Sequence, residues 1–98
     1  MNKLVRDRIP EIMERKWDKG EFYIASDVEY WESLKKKLLE EANEVIEETN
    51  IPEELADLLE VIHAICKARW ITLEEIEKIR QEKREKRGGF EEKIILTQ

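Results

Sequence analysis

Glu41 and Glu44, then Glu54 and Asp57, repeat a single spacing on either side of Asn50. Side chains three apart on a helix are surface neighbours, so each pair brings two carboxylates to one spot. Like charges repel, and acids bordering a core are costly to desolvate. Water, basic side chains or a metal would have to compensate them. An all-oxygen donor set suits a hard divalent cation; Mg²⁺ takes few carboxylates, together with waters and phosphates. Later in the chain, Lys83 and Arg87 occupy positions where the apolar stripe of a helix would continue, and Gly88-Gly89 follows. Carboxylates, cations and a Gly-Gly turn are the parts that hold a polyphosphate. Each part also has a plainer account. Acidic flanks are usually solvated in a chain with 43% charged residues, and cations near a helix C-terminus favour its dipole.

Four helices must position these groups. The first is expected over about 7–17, with Pro10 in its first turn, an apolar face of Ile9, Ile12, Met13 and Trp17, and Gly20 as its stop. Ser26-Asp27-Val28-Glu29 fits a capping box. It starts a long helix with Trp31, Leu34, Leu38, Ala42, Val45 and Ile46 on one side, stopping near Thr49-Asn50. Pro52 opens a third helix, apolar round most of its circumference, whose main face is Leu55, Leu58, Leu59, Ile62, Ile65 and Cys66. A fourth runs from the Thr72 capping box to about Arg87, burying Leu73, Ile76 and Ile79, with Gly88 at C′. Residues 21–26 read as an extended connection and 94–96 as a short β-like run. This is an all-α helical hairpin bundle with short extended tails.

At about 100° per residue, Glu41 falls at the edge of the second helix's stripe and Glu44 one step beyond, while Glu40 points nearly opposite. Glu54 and Asp57 share a flank with Val61 and Ala64. The short connection around Asn50 makes the two helices antiparallel, so the acidic pairs can face each other.

At 98 residues the chain reads as one domain, 1–98. A net charge of -6 argues against a nucleic-acid polymer as partner, though not against a nucleotide. Cys66 is the lone cysteine and suits a reducing cytoplasm. The charged MNKLVRDRIP opening lacks the apolar stretch of a secretory leader, and no run is long enough for a membrane helix. Abundant Glu, Lys and Arg beside three Asn and two Gln hint at a thermophile. Three tryptophans in so short a chain need cover, so a homodimer or homotetramer is expected. Trp17, Trp31 and Trp70 read as core or subunit contacts, His63 as a packed or interface residue, and Cys66 as a buried thiol. Asp7 reads as a helix cap beside surface cations.

The runs EEANE and EELAD resemble the E-E-x-x-E … E-x-x-D signature of the all-α nucleotide pyrophosphohydrolases, the MazG-like superfamily. With NKLVRDRIPEIM at one end and EKREKRGGF at the other, nearly the whole chain is similar to a small, phosphoribosyl-ATP pyrophosphohydrolase-like branch. The resemblance implies Mg²⁺-dependent, or Mn²⁺-dependent, cleavage of the α–β phosphoanhydride of a nucleoside triphosphate. It implies Glu41, Glu44, Glu54 and Asp57 as metal ligands. The water-activating base is left open among Glu40, Glu41 and Glu44. Lys83 and Arg87 would contact phosphates, and Lys3 and Arg6 are candidate nucleotide contacts. The interval 45–53 is shorter than in many members, which bears on the pocket for the base. Clearance of non-standard nucleotides is one expected use. The alternatives are the phosphoribosyl-ATP step of histidine biosynthesis and a non-catalytic, self-associating helical module.

Overall fold

The computed structural model describes residues 2–97 and contains four helices: α1 Ile9–Arg15, α2 Asp27–Glu47, α3 Ile51–Ala68 and α4 Leu73–Arg87. Among the described residues there is no strand, so the fold is all-α as expected. The run 94–96 is irregular and exposed rather than β-like, because an isolated strand has no ladder to satisfy its backbone. Among the described residues no helix is long and apolar enough to cross a membrane. The chain divides into two compact units, residues 1–65 and 66–98.

In the first unit, α1 is shorter than its apolar pattern. Arg8 is its N-cap without a side-chain bond, so Asp7 does not cap it. The stop lies at Trp17 instead of Gly20. Trp17 adopts φ 61° and donates to the Glu14 carbonyl, while Asp18 N–H reaches back to Met13. That pair of bonds is a Schellman ending with tryptophan in the position glycine usually fills. The indole is 93% exposed, so it leaves the expected apolar face.

Ser26 caps α2 by accepting from the Glu29 N–H at 3.2 Å. The box is half made, since the Glu29 carboxylate takes the Tyr23 hydroxyl instead. Leu34 is the buried centre of α2, and the helix ends at Glu48 in the left-handed region. Residues 48–50 then turn the chain into α3. Asn50 caps α3 through the Glu53 N–H at 3.4 Å, while its own N–H donates to Glu54 Oε1 at 3.1 Å.

The buried side of α3 is wider than its expected face. Of that face Cys66 is buried and Leu58, Ile62 and Ile65 are half-buried, while Leu55 and Leu59 stand open; on the adjoining flank Val61 and Glu54 are buried and Asp57 and Ala64 half-buried. A helix apolar round most of its circumference leaves its inward face only partly determined by periodicity.

In the second unit, α3 ends with a second Schellman arrangement: Trp70 N–H donates to Lys67 and Ile71 N–H to Cys66. Trp70 again holds φ 58° and is 94% exposed, so neither it nor Trp17 is core. Thr72 and Glu75 complete the reciprocal capping box of α4. Leu73, Ile76 and Ile79 are exposed rather than buried. Cys66 is buried and free, as expected. His63 is exposed rather than packed.

Candidate functional site

Five glutamates crowd the turn between α2 and α3. The Glu44 carboxyl is held above its ordinary range, chiefly by repulsion from Glu47, then by partial loss of hydration, then by Glu54, Glu41 and Glu40. Glu54 therefore acts across the hairpin on Glu44. Glu44 itself is exposed, Glu40 half-exposed, and the Glu41 side chain is only 12% exposed.

Glu54 is the unusual member. It is 8% exposed, and its Oε1 is committed to the Asn50 N–H. Its Oε2 is buried and has no hydrogen-bond partner among the described residues. An unsatisfied buried carboxylate oxygen costs roughly 1–3 kcal/mol or more, and native structures keep such atoms for a reason.

Cations meet the other acids. Arg6 Nη2 donates to Asp57 Oδ1 at 2.7 Å. Lys37 lies 3.4 Å from Glu40 and 3.7 Å from Glu41, and Lys3 lies 3.7 Å from Glu40. Arg6 and Lys3 belong to the segment before α1, which thus ties to α3 through one residue and to α2 through the other. No three His, Cys, Asp or Glu among the described residues are placed to hold one metal ion. The all-oxygen donor type suits a hard cation and Glu54 Oε2 lacks a partner, but the carboxylates do not gather round one point, and Asp57, Glu40 and Glu41 are engaged by side-chain cations.

Beside the cluster lies a cavity of about 390 Å³. Leu34, Val61 and Tyr30 are among its apolar lining, and its charged lining mixes Arg6, Arg8 and Lys37 with Asp7, Glu41 and Glu60.

The hairpin thus sets Glu54 within electrostatic reach of Glu44, while the preceding segment pairs Arg6 with Asp57 and Lys3 with Glu40; it does not gather the four expected ligands on one point. Lys83 and Arg87 belong to α4 in the second unit, where both are exposed; Arg84, not either of them, pairs with Glu91 at 2.8 Å. Two participants escaped the sequence reading. Lys37 was legible through its spacing of three and four to Glu40 and Glu41. Asn50 was legible as a helix cap, but not as the residue that orients Glu54.

Comparison with known protein families, with curated proteins and with solved structures finds no match to this chain.

Proposed function

We propose that the chain is a nucleotide pyrophosphohydrolase, which uses Mg²⁺, or Mn²⁺ in its place, to cleave the α–β phosphoanhydride of a nucleoside triphosphate into monophosphate and pyrophosphate. The observation that carries this reading is the buried, unpartnered Glu54 oxygen within a set of mutually repelling carboxylates. The EEANE … EELAD resemblance supplies the reaction class. Glu41, Glu44, Glu54 and Asp57 are the proposed cation ligands, and a bound divalent ion would neutralise charge on phosphate oxygens. Glu54 is pre-oriented by Asn50, so it presents one oxygen at little entropic cost. The acceptor of the attacking water's proton comes from among Glu40, Glu41 and Glu44. Leu34, Val61 and Tyr30 offer a wall for the base. Lys83 and Arg87 retain the phosphate role that the resemblance implies, and Lys3 and Arg6 remain nucleotide contacts. The proposed working form is a cytoplasmic homodimer or homotetramer, with non-standard nucleotides among its substrates.

Turnover measured with Mg²⁺ over canonical and modified triphosphates, with phosphoribosyl-ATP included, tests the proposal and selects the pathway. Glu44→Gln and Asp57→Asn should each abolish it; activity retained in both defeats the ligand assignment. The non-catalytic alternative draws on the open leucine and isoleucine faces of α3 and α4. It requires that no nucleotide in the panel turn over.

A further inference from the structure

Every residue from 69 to 97 is exposed, α4 included. A 15-residue helix with nothing buried is marginal in water, so something must cover it. Leu73, Ile76, Arg80, Lys83 and Arg87 recur at intervals of three and four and share one stripe. Its first half is apolar, with Ile79 at the border, and its second half is cationic. Glu74, Glu82 and Glu85 lie on the opposite side. Arg80 is held by Glu77, but Lys83 and Arg87 have no ion-pair partner among the described residues. The α2–α3 hairpin has the complementary character. One side of it receives Lys3 and Arg6. On the other side, at about 100° per residue, fall Leu39, Ile46, Leu55 and Leu59, which are 44–74% exposed. Residues 40–60 carry nine carboxylates and no lysine or arginine, whereas residues 78–87 carry six cations and two carboxylates. Glu47 and Glu48, at the turn, pair with no cation among the described residues.

We propose that α4 of one copy docks on the open side of the α2–α3 hairpin of a second copy, antiparallel to α3, and that the second copy returns the same contact. Leu73, Ile76 and Ile79 then cover Leu55 and Leu59. With Ile76 opposite Leu59, equal rise along the two helices sets Lys83 level with Pro52 and Arg87 level with Glu48. The cationic half of the stripe therefore meets the turn that carries Glu47, Glu48 and Glu53. The chain's own α4 cannot reach that register. Folded back through a turn at residues 69–72, it would set Lys83 level with Leu58 and Arg87 level with Glu54, and cations would lie over the leucines. Surface area also calls for a second copy. The chain exposes 9510 Å², whereas a folded monomer of 11.8 kDa exposes about 5,900 Å². That excess is ample for an obligate contact between copies, which buries roughly 2,000–5,000 Å² in all. Reciprocal docking closes the pair about a two-fold axis. The inference goes beyond the nucleotide reading and does not rest on it: the acids of one copy gain counter-charges from α4 of the other.

The experiment is sedimentation equilibrium of the full chain at micromolar concentration, in wild type and two charge-reversed variants. One variant combines Lys83→Glu with Arg87→Glu, and the other combines Glu47→Lys with Glu48→Lys. Wild type should sediment as a dimer or a pair of dimers. In either variant alone, like charges face each other, and the dissociation constant should rise at least about ten-fold. Mixed one to one, the two variants should regain the wild-type mass, because each α4 then meets a hairpin of opposite charge. Circular dichroism checks that each variant is helical, and recovery on mixing is open only to chains that can fold. A monomeric wild type overturns the proposal. Variants that associate as tightly as wild type overturn it as well, since the contact then lies elsewhere. Variants that come apart and do not recover on mixing place α4 on its own chain and overturn it too. No readout involves turnover, so failure of the nucleotide reading leaves this result standing, and the reverse holds.

Discussion

Replacing Glu54 by Gln should make the metal-free protein more stable and, at the same time, deaf to divalent cations. The side chain is nearly isosteric and can keep its Oε1 bond to the Asn50 N–H. What changes is the second atom, now a buried oxygen without a partner on a carboxylate that repels Glu44. The amide nitrogen that replaces it is also unpaired, so the desolvation cost of a neutral group remains. The gain comes from removing the charge, about 1–2 kcal/mol of the several that a buried unpaired ion costs. For a domain of this size each kcal/mol moves the melting temperature by roughly 4–8 °C. Thermal melts in chelator should therefore place Glu54→Gln above wild type by about 4–16 °C. With Mn²⁺ at about a hundred times its dissociation constant, wild type should gain about 2.7 kcal/mol and the order should reverse. A variant less stable than wild type in chelator would mean that the carboxylate is already satisfied. A variant with an undiminished Mn²⁺ response would remove Glu54 from the site.

Leu59, 56% exposed on the open face of α3, should be part of the proposed subunit contact. Leu59→Lys should reduce the mass measured by light scattering to that of the monomer, and no change would acquit this face. Trp70→Gly relieves a left-handed backbone costing about 1–2 kcal/mol for a residue with a Cβ. Dilute protein should melt several degrees higher, and a lower melting temperature would show that the indole packs against something worth more than the strain. In α4, Arg80 beside Glu77, assisted by Gln81, holds the Glu77 carboxyl down to about 2. A carboxyl lowered by folding contributes above its ordinary value near 4.5 and loses that contribution as pH falls toward about 2. Helical ellipticity should drop over that window, and by less in Glu77→Gln; identical curves would assign the loss elsewhere. At neutral pH, Glu44→Gln should raise the melting temperature in chelator, because the repulsion that lifts the Glu44 carboxyl disappears.

Helix existence and order were legible because caps and prolines mark the starts: Ser26, Asn50-x-Pro52 and Thr72 all precede helices where their chemistry indicates. The approach of Glu54 to Glu44 was legible too, since i, i+3 spacing and a short turn leave little choice, whereas a common focus for Glu41, Glu44, Glu54 and Asp57 is not found. Three things were not fully legible. The inward face of α3 could be read only in part: Leu58, Ile62, Ile65 and Cys66 turn from solvent as expected, but Leu55 and Leu59 advertise apolarity as loudly as Val61 does and stand exposed. The stop of α1 was misplaced to Gly20 because a tryptophan at positive φ contradicts local preference. The pairing of Arg6 with Asp57 depends on where an irregular segment lies in space, which periodicity does not encode.

The hydrogen bond from Asn50 N–H to Glu54 Oε1 ties the bend between α2 and α3 to the buried carboxylate it orients. Surface bends ordinarily absorb extra residues at little thermodynamic expense. Here a single inserted residue would detach the acid from its anchor and let it swing to water. Anyone grafting, lengthening or splitting this hairpin should treat residues 48–50 as a fixed gauge rather than a spacer.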